Sequence, residues 1–409
     1  MYFPRRTIAI ATLSTAAAAG LAQPAAARSM TTHASLASKL TRIFHDHNGA
    51  KHLTFSIHDS TYGNFTRNST YLSQPASNQK VFTAITLMDE VGPSFRYATT
   101  VSATKRVVNH IIDGDLVVRG SGDPTLTRSG LLDMAKRLHR KGIHRVTGHL
   151  IVDDTRYSHK TSVSGWKPKF VPEESGPVDA FTVDHNAWKH NATFLADPSH
   201  ANGKLFRHYL RQRHIKIHKR IEVGHAPRHR RLLMTHRSAS LAAITDSTLT
   251  DSINFDAEMM LREAGAQRSG HGSPKTGAAA VNAVADKYGL PSGVVHDGSG
   301  LSYSERSSPD ITTRWLLKLR TLPYFTSIYY ALPLSCRTGT LEHRLCGRYT
   351  AGQVRAKTGT LDHASTLSGY VTSIAGHYVT FSFYASKVKN FGRVYKKVDK
   401  AIGLLRRKG

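Results

Sequence analysis

Apolar residues along this chain recur with two periods, and the changes from one to the other divide it. In "HLTFSIHDSTYGNFTRNST", Leu53, Phe55 and Ile57 alternate with polar residues before a turn near Gly63-Asn64, which predicts a strand pair. After Pro75-Ala76 the period becomes helical: Val81, Ala84, Ile85 and Met88 fall at i, i+3, i+4 and i+7, and Gly92-Pro93 ends the run. From about Thr100 the character changes again. "VVNHIIDGDLVVRG" predicts a hairpin turning at Asp113-Gly114, "LLDMAKRLHRKG" a short helix, and "HLIVDD" a strand. Helical periodicity resumes near Ser238. The last part predicts three strands over 353–360, 365–373 and 377–385, joined by turns short enough for an antiparallel meander. A final helix over 391–406 has Val394, Val398, Ile402 and Leu405 on one face, placed to cover that sheet. Two helical stretches resembling parts of one core are thus separated by a β-rich excursion. The expected division is a leader over 1–27, a main domain of 28–105 with 235–409, and an inserted domain over 106–234.

At 409 residues and 40% hydrophobic, the chain can bury a sizeable core. Its start reads as an export signal: Arg5 and Arg6, an apolar and small-residue run from Thr7 to Ala22, and a small-x-small cleavage site at Ala25-Ala26-Ala27. An uncut membrane anchor is the alternative, although the run is shorter than the ~20 apolar residues of a spanning helix. The expected location is therefore the periplasm or the outer side of the cytoplasmic membrane. There, oxidation of Cys336 and Cys346 is permitted, and the sequence leaves both the bonded and the reduced state open. The 24 histidines show no zinc-type spacing, so no metal site is expected. The formal charge is +28, and the stretch from Lys204 to Arg231 carries ten Lys or Arg against one acid, Glu222. For an exported protein this implies an anionic envelope polymer, a lipid surface or simply a solvated basic face, and nucleic acid is not the expected partner.

A serine hydroxyl needs a neighbouring base to become a nucleophile, and a lysine three residues later on a helix lies on the same face. Four serines satisfy that spacing: Ser77 with Lys80, Ser102 with Lys105, Ser164 with Lys167, and Ser386 with Lys389. Only Ser77 opens a strongly periodic helix. The tripeptide Lys-Thr-Gly also occurs twice. Lys275-Thr276-Gly277 precedes an alanine-rich helix and reads as a helix start. Lys357-Thr358-Gly359 lies on a predicted strand, with Val354 and Ala356 on the face opposite Lys357. There the lysine can stand beside a cleft, and glycine admits a ligand close to the backbone. Between the two tripeptides, Ser252-Ile253-Asn254 precedes a further helix and taken alone reads as a cap.

Together the three elements, Ser77/Lys80, Ser252/Asn254 and Lys357/Gly359, form a known serine-acylation set in its usual order. With "RGSGDPTLT", "GHLIVDDT", "PVDAFTVDHN", "HDGSGLS", "GTLEHR" and "GQVRAKTGTLDHASTLSGYV", the chain resembles the D-alanyl-D-alanine carboxypeptidase/endopeptidase family, the class C low-molecular-mass penicillin-binding proteins. The resemblance covers most of the chain after the leader. It implies an α/β fold: a β-lactamase/transpeptidase-like domain with an antiparallel sheet flanked by helices, plus an inserted β-rich domain. It also implies peptidoglycan stem peptides as substrate, β-lactams as covalent inhibitors, and no cofactor. By the resemblance Ser77 would be the nucleophile, Lys80 its base, and Ser252 a proton relay. Asn254, Lys357 and Thr358 would bind substrate, and the backbone N–H groups of Ser77 and Thr360 would form the oxyanion hole. To act as a base Lys80 must be partly neutral, through burial or a second cation nearby, and Lys357 is the candidate cation. Ile253 stands where the family commonly has aspartate, and His149 where an acid is frequent. Asp297 and Ser299 read either as cleft residues or as the brace of a glycine-rich loop. Glu173-Glu174 reads as part of a loop. A serine β-lactamase and a non-catalytic binder of envelope polyanions are the alternatives.

Overall fold

The computed structural model describes residues 25–45, 49–159, 163–186 and 197–409. The expected leader lies outside them except for its last three residues, which begin a helix, Ala25–Ile43. No described helix is long and apolar enough to cross a membrane.

The main sheet has five antiparallel strands in the order Val354–Leu361, Ala364–Thr372, Tyr378–Val388, Ala50–Asp59 and Gly63–Arg67. The N-terminal hairpin therefore adds to the edge of the C-terminal meander, with Phe55 opposite Phe383 and Ile57 opposite Phe381. The period-2 pattern explains its two faces. Leu53, Phe55, Ile57, Phe381 and Phe383 form one core with Leu36 and Leu40 of the first helix and with Val394, Val398, Ile402 and Leu405 of the last, Phe391–Lys408. Each such side chain, once buried, stabilises the fold by about 1.5–3 kcal/mol. The opposite face carries hydroxyls, which let the helix Pro309–Leu319 pack close. Thr313 donates to the Ser56 carbonyl, Thr312 meets the Tyr384 hydroxyl at 2.8 Å, and Ser368 meets Ser382 at 2.8 Å. Buried hydroxyls are tolerated there because they satisfy one another. Beyond this layer, the helices Gln79–Val91, Leu241–Thr250, Asn254–Ser269 and Pro274–Tyr288 pack around Phe82, Leu261 and Trp315. The result is an α/β layered fold with an antiparallel sheet flanked by helices.

A second sheet has the order Ile221–Val223, Leu150–Asp153, Leu116–Arg119, Ala98–Ala103 and Arg231–Arg237. Its first three strands are mutually parallel and the rest antiparallel. The helices Arg128–Arg140 and Pro198–Gln212 bury Leu131, Met134, Leu138, Phe206 and Leu210 against it, so this excursion is mixed α/β rather than β-rich alone. Because the strands Ala98–Ala103 and Arg231–Arg237 both belong to it, we propose that the excursion runs from about residue 98 to residue 237. The hairpin expected at Asp113-Gly114 is displaced: Val107–Val108 pairs with Ile111–Ile112 around Asn109-His110, both at positive φ (45° and 65°). That is the two-residue turn such a hairpin favours. Leu116–Arg119 instead pairs with Ala98–Ala103, where its Leu and Val residues are buried. Cys336 and Cys346 are bonded, their Cα atoms 4.9 Å apart, closing the loop that leads to the strand Val354–Leu361.

Candidate active site

The turn before the helix Gln79–Val91 presents Ser77. Ala76 adopts φ 47°, a conformation disfavoured for alanine, and Ala76–Asn78 form a single 3₁₀ turn that tips the serine toward the cleft. Gly300, at φ 84°, lies directly against the Ala76 carbonyl, where no Cβ would fit. One turn on, Lys80 is 1% exposed. Its Nζ has three acceptors: Ser77 Oγ at 2.9 Å, Asn254 Oδ1 at 2.7 Å and the Ser299 carbonyl at 2.7 Å. Burial pulls the Lys80 pKa down to about 8, against the opposing pull of Asp297, Glu258, Glu305 and Glu174. Of the two causes expected, burial and a second cation, burial is the one that makes Lys80 partly neutral. Lys357 is itself held well below the ordinary lysine range, first by its own burial and then by Lys80.

Two amines 0–1% exposed face the cleft from different layers. Lys357 Nζ donates to Ser252 Oγ at 2.9 Å and to the Thr358 carbonyl at 3.0 Å. Ser252, at φ 61°, is turned out of the helix it precedes. Its neighbour Ile253 occupies the N-cap without a side-chain capping bond and packs with Phe255, Met259 and Val178. Here the expected cap gives way to site geometry: Asn254 spends Oδ1 on Lys80 and Nδ2 on the Glu174 carbonyl at 3.0 Å. Thr358 donates to Thr340 Oγ1 at 2.7 Å. The cleft, about 230 Å³, is lined by Ser77, Ser252, Asn254, Thr358 and Thr360 together with Glu174 and Thr340. All seven proposed chemical residues thus lie around one groove. The other Lys-Thr-Gly copy does not: Thr276 bonds back to the Ser273 backbone in a capping box, and Gly277 lets its helix approach Leu261.

One participant, Glu258, had no local signal. Glu258 Oε1 accepts from the N–H groups of Gly298 and Ser299 at 2.9 Å, fixing the carbonyl that Lys80 uses. Burial and the nearby Asp297 push the Glu258 pKa up to about 7. Asp297 accepts from Gly300 N, Ser302 N and Trp166 Nε1, so it braces the glycine-rich loop, and Ser299 contributes its backbone. Glu174, expected only in a loop, lines the cleft. His149 is half-buried, with Nδ1 3.3 Å from Glu222 in the excursion.

A family model described as the D-Ala-D-Ala carboxypeptidase 3 (S13) family matches residues 38–196 and 189–407. A D-alanyl-D-alanine carboxypeptidase of Actinomadura sp. is 25% identical over 383 residues, covering 74% of this chain and 71% of the relative. The corresponding DacB of Haemophilus influenzae is 24% identical over 377 residues, covering 75% and 79%. The crystal structure of penicillin binding protein 4 from H. influenzae superposes with a TM-score of 0.82 at 20% identity, over 91% of this chain and 99% of that one.

Gly359 faces the nucleophile turn so closely that an added Cβ would lie 2.9 Å from Ser77 N and 3.0 Å from the Pro75 carbonyl. Gly359→Ala is expected to cost about 1–3 kcal/mol, the usual range for overpacking. Gly392→Ala, in a helix with only an ordinary contact at 3.5 Å, should be neutral or slightly stabilising. Chemical denaturation of the two variants tests the difference.

Proposed function

Because the chain belongs to the D-Ala-D-Ala carboxypeptidase 3 (S13) family, we propose that it cleaves peptide bonds next to D-alanine in peptidoglycan stem peptides, through an acyl-enzyme on Ser77. The observation that carries this is the Lys80 amine 2.9 Å from Ser77 Oγ, with its two other directions committed to Asn254 Oδ1 and the Ser299 carbonyl. An ammonium has three protons for three acceptors. Once it loses one, the two remaining N–H groups stay with the acceptors that cannot donate, and the lone pair faces the serine. Lys80 then takes the Ser77 proton as the oxygen attacks the scissile carbonyl. The developing oxyanion would sit at the backbone N–H groups of Ser77 and Thr360, donors each worth roughly 3–4 kcal/mol in sites of this kind. The second Nδ2 hydrogen of Asn254 would meet the acyl-side amide. Ser252, already hydrogen-bonded to Lys357, would pass a proton to the leaving amine, and Lys357 with Thr358 would hold the terminal carboxylate. Water then releases the acyl group and restores Ser77. β-Lactams would acylate the same oxygen.

The sequence's leader supports export, to the periplasm or the outer face of the cytoplasmic membrane. The basic run supports a partner there. Lys204, Arg207, Arg211 and Lys216 line a groove between the helix Pro198–Gln212 and the strand Lys216–Ile217, and Glu222, the one acid of the run, is engaged with Arg220 and His149. This groove suits an anionic envelope polymer. A serine β-lactamase remains the rival reading because Glu174 lines the cleft, within 3.5 Å of Asn254 Nδ2, where it could activate a deacylating water.

Ser77→Ala should abolish both D-Ala release from a D-Ala-D-Ala peptide and labelling by a fluorescent penicillin, and Lys80→Met should slow labelling by about 10²–10⁴-fold. Since the base must be neutral and its pKa is about 8, the labelling rate should rise with pH through that value and level off above it. Fast nitrocefin turnover without peptide cleavage would replace the peptidase reading by the lactamase one. Charge reversal of Lys204, Arg207 and Arg211 together should weaken binding to a soluble polyanion at low salt while leaving penicillin labelling unchanged; equal binding by the variant would remove the groove from the account.

A further inference from the structure

A second charged cluster lies at the two ends of the segment that brings Glu174 to the cleft, and the chemistry proposed at Ser77 makes no use of it. Asp154 directly follows the strand Leu150–Asp153, and Asp179 sits in the loop after Glu174; they are 1% and 7% exposed. His159 joins them from the surface, and one donor atom from each of the three residues lies within 4.8 Å of the others. The polar groups around the cluster are under-used. Asp154 Oδ1 is buried without a hydrogen-bond partner, and the Ser199 hydroxyl, 0% exposed, faces both carboxylates as a hydrogen-bonding group. Asp179 Oδ1 accepts from Ala180 N. His159 Nδ1 lies 3.7 Å from Asp154 Oδ2, while Arg262 interacts electrostatically with Asp179 from the core and donates to the Ser158 carbonyl.

Two carboxylates taken out of water need a proton, a salt partner or a cation, because an unpaired buried charge costs several kcal/mol. We propose that Asp154, Asp179 and His159 bind one divalent transition-metal cation of the Zn²⁺ or Mn²⁺ class, with the Ser199 hydroxyl at its edge. The donor set selects that class: imidazole nitrogen with carboxylate oxygen suits zinc and manganese, whereas Ca²⁺ and Mg²⁺ take oxygen alone. The other histidine group is of a different kind. His110, His139 and His144 stack ring on ring, with centroids 4.7 and 5.1 Å apart, instead of converging their nitrogens.

The position gives the ion a task. Residues 163–176 reach the cleft at Glu174 and hold two of its supports, Asp297 through Trp166 and Asn254 through the Glu174 carbonyl. His159 precedes that segment and Asp179 follows it, so a shared cation ties its two feet to the end of the second sheet. This assignment goes beyond the peptidase reading and stands or falls separately from it, since its readout is metal binding.

Calorimetric titration of the chelator-treated full chain with Zn²⁺ and with Mn²⁺ tests the site, compared with Asp179→Asn, which keeps the shape, and His159→Ala, which alters an exposed residue. Other histidines will also take zinc, so the difference is the readout. Wild type should bind one more equivalent than either variant, and its melting temperature should rise with metal while theirs responds less. Identical stoichiometry and affinity in all three proteins would overturn the proposal. An equal one-equivalent difference with Ca²⁺ would overturn the assignment to the transition-metal class.

Discussion

A lysine amine with no access to water must be held by acceptors, and the places those acceptors come from dictate the architecture around the cleft. Lys80 draws one from its own helix, one from the start of the helix Asn254–Ser269 and one from the loop at Ser299. Each acceptor is itself fixed. Glu258 holds the Ser299 backbone, Asp297 ties the same loop to Trp166, and the Glu174 carbonyl holds Asn254. Four acidic side chains, Asp297, Glu258, Glu305 and Glu174, favour the charged amine while burial opposes it, and its pKa lies between these two pulls. Moving any one acceptor would change both the direction of the lone pair and its availability.

The second buried lysine, Lys357, sits on the strand Val354–Leu361, close enough for the Lys80 charge to add to burial in lowering its pKa. The strand alternation places Val354 and Ala356 in the core beneath the sheet and Lys357 on the cleft side, where Ser252 accepts from it. Each lysine thus has its own serine.

Whatever could be read from neighbouring residues was legible in the sequence. Ser77 and Lys80 share one helical turn, so their contact is local, and the alternation through Leu53, Phe55 and Ile57 identified a strand of the main sheet. The last helix was visible through Val394, Val398, Ile402 and Leu405. The braces were hidden because they join distant positions: the Lys80 to Ser299 bond spans 219 residues, and the Asn254 to Glu174 bond spans 80. Asp113-Gly114 was misleading because a favourable turn pair competes with strand burial. The chain turns at Asn109-His110, where the Leu116–Arg119 strand is left to fill the second sheet. The cause of the Lys80 shift was also beyond the sequence, since desolvation depends on what covers a residue.

The bond from Asn254 to the Glu174 carbonyl carries one more consequence. Residue 174 belongs to the long excursion that carries the second sheet, and its backbone oxygen is a structural member of the candidate site. The two lobes are therefore not independent modules joined by convenience. A shortened version of this protein, pared down to the main sheet and its helices, would keep every side chain that does chemistry and yet lose the strut that aims one of them. Size reduction here has a lower bound set by a single peptide group.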